Sequence, residues 1–107
     1  MKKIKILLAC VGGFSTSMLV KSLIAEGEKD GYEVDCHANA VETLLRQNEP
    51  CDLILVGPQA GYFLKTINEK MPDTPAVVIN YQDYGMMNAA KVWKMVLSAM
   101  EKGGAKQ

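Results

Sequence analysis

The sequence predicts a three-layer α/β/α sandwich built on a four-stranded parallel sheet, and three observations lead there. Segments with strand-like and helix-like patterning alternate along the whole 107-residue chain. The segments Asp52–Val56 and Ala76–Ile79 are almost continuously apolar, the pattern of strands covered on both faces. Glycine or proline stands near most of the boundaries between segments. Four β-α units in succession give a parallel sheet with right-handed crossovers and helices on both sides. With 49% hydrophobic residues the chain supports one core and is too short for two. Residues 1–102 are therefore expected to form a single domain, and Gly103–Gln107 a frayed tail.

The first strand is the apolar run Ile4–Ala9, closed by Cys10, and the loop Val11–Ser17 leads directly into a helix over about 16–30. In that helix Leu19, Val20, Leu23 and Ile24 make an apolar stripe, Lys21, Glu26 and Lys29 lie outside it, and Gly31 supplies the stop. Tyr32–Ala38 alternates strictly, with Tyr, Val, Cys and Ala on one face and Glu, Asp and His on the other, which suits a half-exposed edge strand. A short helix follows over Val41–Gln47, then the strand Asp52–Val56. Gly57-Pro58-Gln59 turns the chain into a helix around Gln59–Met71, and the stretch Pro72–Pro75 ends it. After the strand Ala76–Ile79, a loop over Asn80–Gly85 leads to a last helix from about Met86 to Lys102. An alternating second strand belongs at an edge, so the predicted strand order is 2-1-3-4. That order puts a topological switch point between strands 1 and 3, where open α/β sheets bind ligands beyond the carboxyl ends of the strands. Cys10, Gly57-Pro58-Gln59 and Asn80–Gly85 converge there.

Composition excludes several functions. Lys plus Arg and Asp plus Glu balance at 12 each, so no strong field steers the protein toward nucleic acid. The apolar run near the N-terminus is shorter than a signal core, and no stretch is long enough to span a membrane, so a soluble cytoplasmic protein is expected. Cys10, Cys36 and Cys51 are odd in number, lack CxxC spacing and stand beside a single histidine. That fits neither a disulfide framework nor a zinc site, and reduced thiols are expected.

The chemistry concentrates at Cys10. Gly12 and Gly13 permit positive φ, the amides of residues 11–17 can point at one spot, and the helix start adds partial positive charge. With the hydroxyls of Ser15, Thr16 and Ser17 this makes a phosphate cradle facing a thiol, and a thiol in such a cradle is a nucleophile aimed at phosphorus. No Gly-Lys-Ser/Thr follows, so the loop is not a Walker P-loop, and it lacks the GxGxxG of dinucleotide-binding folds. Thiol phosphatase loops carry arginine where this chain has Thr16, and the only arginine, Arg46, is expected on the short second helix away from the loop. Without the fork that stabilises a transferring phosphoryl group, the loop should hold phosphocysteine and hydrolyse it poorly. This favours a carrier that hands phosphate on. Cys36 and Cys51 have no such surroundings and read as structural. His37 reads as a solvent-facing edge residue, and Gln59 as either a phosphate contact or a surface helix start. Tyr81 and Tyr84, with Phe14, make a candidate apolar rim. The acidic cluster of a phospho-aspartate receiver is missing, since Leu8-Ala9 and Val56-Gly57 occupy those strand ends. Neither metal nor dissociable cofactor is implied.

The chain resembles the enzyme IIB components of the lactose/cellobiose class of the sugar phosphotransferase system. The resemblance covers essentially the whole chain. It rests on the Cys10 loop ending in Ser15-Thr16-Ser17-Met18-Leu19-Val20, on Leu55-Val56-Gly57-Pro58-Gln59, and on Tyr84-Gly85. It implies that Cys10 accepts a phosphoryl group from a phosphohistidine of enzyme IIA and passes it to a disaccharide bound in the membrane permease, enzyme IIC. It also implies work in the cytoplasm, transiently at the inner face of the membrane. The stretch Val11-Gly12-Gly13-Phe14 differs from the small residue and single glycine common in the family, so sugar preference is not carried over. The alternative is a low-molecular-weight tyrosine phosphatase, which has the same general layout and uses an aspartate beside a tyrosine as general acid. Asp83-Tyr84 lies in a comparable place, although Asp83 also suits a polar turn.

Overall fold

The computed structural model describes residues 2–11 and 16–105. The chain runs β1 (Lys2–Cys10), α1 (Thr16–Lys29), β2 (Tyr32–Ala40), α2 (Val41–Gln47), β3 (Leu53–Val56), a 3₁₀ segment (Pro58–Phe63), α3 (Leu64–Lys70), β4 (Ala76–Val78), α4 (Tyr81–Gly85) and α5 (Ala89–Ala105). The strands form one sheet in the order β2-β1-β3-β4, all parallel, as the pattern predicts.

Alternation along the central strands divides the core in two. Ile4, Ile6 and Leu8 of β1 and Leu53 and Leu55 of β3 face α1 and α5, where they meet Leu19, Leu23, Val92, Trp93 and Val96. Leu7 and Ala9, with Ile54 and Val56, face the other way onto Val41, Leu44, Ala60 and Ile67. A strand buried on both faces has no polar side to offer, which is why β1 and β3 read as unbroken apolar runs. β2 pairs only with β1, and its outer positions Glu33 and Asp35 are exposed, as an edge strand requires. Gly31, at φ 82°, makes the left-handed turn that stops α1 where the sequence places the stop.

Several boundaries differ from the expectation, and the larger differences have local reasons. β2 continues past Ala38 to Ala40, because Asn39 and Ala40 stay in register with Ala9 and Cys10 despite Asn being a poor strand former. The helix expected over 59–71 is split: Pro58 opens a 3₁₀ segment, and the α-helix begins only at Leu64, beyond Gly61. The loop expected over 80–85 contains α4. Asn80 caps it, its Oδ1 accepting the Asp83 N–H at 2.8 Å while its Nδ2 donates to Asp83 Oδ2 at 2.9 Å. α5 starts at Ala89 rather than Met86, because Met87 has φ 51° and Asn88 Oδ1 then caps Lys91 N–H at 3.3 Å. At its far end α5 runs to Ala105, so the first residues of the expected tail continue the helix backbone past Lys102.

Candidate functional site

Cys10 is the last residue of β1 and pairs in register with Ala40. Being in phase with Ile4, Ile6 and Leu8, its side chain projects toward the α1 face of the sheet. It is only 5% exposed, and its Sγ–H donates to the main-chain carbonyl of Asn39 at 3.5 Å. That acceptor exists because β2 runs two residues further than its alternation suggests. The sequence carried no signal for it.

The thiol is reached from a depression of about 410 Å³ between the end of β1, the first turns of α1 and the edge of β2. Cys10, Val11, Ser17, Val20 and Lys21 form one side and residues 36–40 of β2 the other. Ser17 and Lys21 are both exposed and bring a hydroxyl and an ammonium to this wall. Of the predicted cradle, Gly12, Gly13, Phe14 and Ser15 lie outside the described residues, Thr16 opens α1, and Val11 is 55% exposed. In the sequence Lys21 stands outside the apolar stripe of α1. Its four-residue offset from Ser17 was the available signal.

On the β3 side of Cys10, the Gly57 N–H donates to the Ala9 carbonyl at 2.8 Å and locks the two strand ends together. A Cβ on Gly57 would sit 3.7 Å from Gln59 Oε1 and 3.8 Å from Tyr84 Cε1. Gln59 and Tyr84 therefore meet at a strand end one residue removed from the thiol, as the switch-point topology predicts. Asp83 behaves differently. It is buried, and its carboxylate is engaged by Asn80, while its main-chain carbonyl accepts from Asn88 N–H at 2.9 Å. This is the polar-turn role, elaborated into a helix cap.

His37 is partly exposed to solvent, as expected of an edge-strand residue, but it is not remote from Cys10, because it also lines the depression that holds the thiol. Its ring nitrogens lie 3.5 Å from Asp35 Oδ1 and 3.5 Å from Glu49 Oε1. Glu49 is also bound by Lys5, and these contacts, Lys5 first and His37 after it, lower the Glu49 pKa. Burial pushes the Cys36 thiol up to about 12, and burial likewise raises Cys51, so both stay protonated as structural thiols do. Arg46 is exposed on α2, which packs on the opposite face of the sheet from Cys10. Among the described residues no three His, Cys, Asp or Glu side chains are grouped to hold a metal.

Five large apolar side chains stand exposed among the described residues: Val11, Met18, Tyr62, Tyr81 and Met86. Val11 and Met18 follow β1, Tyr62 follows β3, and Tyr81 and Met86 follow β4. All five thus come from segments that follow the carboxyl ends of β1, β3 and β4. The rim is broader than the Tyr81, Tyr84 and Phe14 expected for it. Tyr84 instead packs partly buried against the core, and Phe14 lies outside the described residues.

The fold is thus a parallel α/β sandwich with a cysteine at the end of its first central strand. The particular family follows from comparison with known proteins. The family described as "PTS system, Lactose/Cellobiose specific IIB subunit" matches residues 5–95, and the chain belongs to it. The chain is 34% identical over 99 residues to the PTS system oligo-beta-mannoside-specific EIIB component of Bacillus subtilis (strain 168), covering 90% of this chain and 95% of the relative. It is 37% identical over 95 residues to the PTS system galactose-specific EIIB component of Lactococcus lactis subsp. cremoris (strain MG1363), covering 81% and 87%. The solution structure of the cellobiose-specific phosphotransferase IIB component from Borrelia burgdorferi superposes with a TM-score of 0.74 at 31% identity, covering 94% of each chain. The lactose-specific IIB component domain from Streptococcus pneumoniae shares the fold, with a TM-score of 0.79 at 18% identity over 92% of this chain and 98% of that one. The protein is accordingly a IIB-type component of a sugar phosphotransferase system.

Proposed function

We propose that Cys10 is a phosphoryl relay: it takes a phosphoryl group from a phosphohistidine of enzyme IIA and gives it to a disaccharide held by the enzyme IIC permease. The observation that carries this reading is the position of the thiol. It ends β1 at the switch point, in a depression lined by Ser17 and Lys21, and the segments after β1, β3 and β4 carry exposed apolar residues. In the first transfer the sulfur attacks phosphorus in line, the S–P bond forms as the N–P bond breaks, and the electron pair returns to the imidazole. The thiol proton passes to that departing imidazole. In the second transfer a sugar hydroxyl attacks phosphorus, the O–P bond forms as the S–P bond breaks, and the departing thiolate takes up the hydroxyl proton to restore the thiol. The amides of residues 11–17 and the hydroxyls of Ser15, Thr16 and Ser17 hold the oxygens during both steps. The chain has no arginine in the loop to assist attack by water, so phosphate is forwarded in preference to being released.

The exposed apolar rim supplies the transient docking surface for both partners. No helix among the described residues is long and apolar enough to cross a membrane, in keeping with action from the cytoplasm on a permease that supplies the membrane span. Which disaccharide is taken up is then decided by the permease.

Incubation with phosphorylated enzyme IIA followed by intact-mass spectrometry tests the reading. A gain of ~80 Da is expected on the unmodified protein and on Cys36→Ser and Cys51→Ser, and none on Cys10→Ser. An adduct that persists on Cys10→Ser refutes it.

A further inference from the structure

We propose that the Lys21 ammonium is the counter-cation of the phosphoryl group carried on Cys10, supplying the charge that the missing loop arginine would otherwise provide. The proposal rests on the reading of Cys10 as the phosphoryl acceptor. Cys10 and Lys21 line one depression, and Ser17, four residues before Lys21 on α1, brings its hydroxyl to the same wall. Within that wall Lys21 is the one lysine or arginine. His37, its other basic group, lies between the carboxylates of Asp35 and Glu49. Among the described residues no carboxylate pairs with Lys21, whereas Lys3, Lys5 and Lys29 each pair with a glutamate. Lys21 is therefore an uncommitted cation lining the same depression as the sulfur that is to carry a dianion.

Besides the hydroxyl of Ser17, much of the wall gives the dianion little help. Val20, Cys36 and Ala38 offer apolar surface, and a charge beside such surface without a partner is costly. A lysine suits a relay better than an arginine. Its single charge on a flexible stem can follow the phosphoryl group from nitrogen to sulfur to hydroxyl. It does not impose the bidentate grip on equatorial oxygens that promotes attack by water in phosphatases. No proton passes through Lys21 in either transfer.

The test is phosphorus NMR on the protein phosphorylated by enzyme IIA, titrated through the second ionisation of the phosphocysteine, together with the rate of transfer onto Cys10 at low salt. Removing a neighbouring cation disfavours the dianion, so Lys21→Met should raise the ionisation midpoint by about half a pH unit or more. Transfer should slow by about 10-fold, and Lys21→Arg should restore both. Lys29→Met, at the far end of α1, should change neither. A midpoint unmoved in Lys21→Met, or moved equally in Lys29→Met, overturns the proposal and leaves Cys10 as the acceptor. Failure of the unmodified protein to show any phosphorus signal on Cys10 overturns the acceptor reading itself, and this proposal with it.

Discussion

The two ends of the sheet are built to opposite purposes. At the amino-terminal end, Trp93 of α5 is 5% exposed, its indole N–H donates to Asp30 Oδ2 at 3.0 Å, and Tyr32 meets its ring edge-on at 5.2 Å between centroids. Lys2 lies over the Tyr32 ring at 5.8 Å, and Gly27 of α1 brings its backbone so close to β2 that a Cβ would stand 2.2 Å from Val34 Cγ2. At the carboxyl-terminal end, by contrast, the strands finish in a thiol, a depression and a set of exposed apolar side chains. Helices and strands are locked at one end, which leaves the other end for the proposed docking. Stability and chemistry should therefore be separable by mutation.

The largest expected effect is at the locked end. Trp93→Ala removes a buried indole and leaves the Asp30 carboxylate without that partner, and should cost about 3–5 kcal/mol. Denaturant unfolding measures it. If the separation of the two ends holds, the fraction that remains folded should still accept phosphate on Cys10 at close to the normal rate. A folded Trp93→Ala protein unable to accept phosphate would show that the ends are coupled.

A smaller effect distinguishes the two cysteines that face the α1 side, Cys10 at the mouth and Cys36 deeper along β2. Burial raises the Cys36 thiol from 9.0 to about 12. Above pH 9 the unfolded chain releases this proton and the folded chain keeps it, so the folded state loses stability as pH rises toward 12. The loss is at most about 1.4 kcal/mol per pH unit. Cys36→Ala lacks this dependence. The stability gap between the unmodified protein and Cys36→Ala, measured by denaturant unfolding at successive pH values, should narrow above pH 9. A gap that stays constant would mean Cys36 is not held as a buried neutral thiol.

How much of this was legible in the sequence also differs between the ends. Period-2 alternation and unbroken apolar runs report burial directly, so strand order, layers and the place of Cys10 could be read from the chain. What could not be read depended on partners distant in sequence. The Asn39 carbonyl accepts the thiol only because β2 stays in register with β1 for two more residues. His37 keeps the half-exposed side of the strand that alternation assigns it, with Asp35, but alternation says nothing about where α1 leaves a gap beside that strand. Asn80 and Asp83 carried a capping signal three residues apart, masked by the expectation of a plain loop. Lys21 was visible as a charge on a helix, but only the fold shows which charge shares a cavity with the thiol.

The smallest stability effect is expected at the open end, from Tyr81→Ser. Tyr81 is 70% exposed at the start of α4, directly after the capping residue Asn80, and it buries little that folding needs. Its replacement should change stability by no more than about 0.5 kcal/mol. As part of the apolar rim it should still matter for encounter, because aromatic side chains at transient interfaces contribute disproportionately. Transfer from phosphorylated enzyme IIA should require a severalfold higher donor concentration, while the maximal rate at saturating donor stays near normal. That split separates docking from chemistry. A lower maximal rate with unchanged donor dependence would place Tyr81 in the transfer step and draw the reactive centre toward β4. Unchanged kinetics would remove Tyr81 from the rim and confine docking to the side bearing Val11, Met18 and Tyr62.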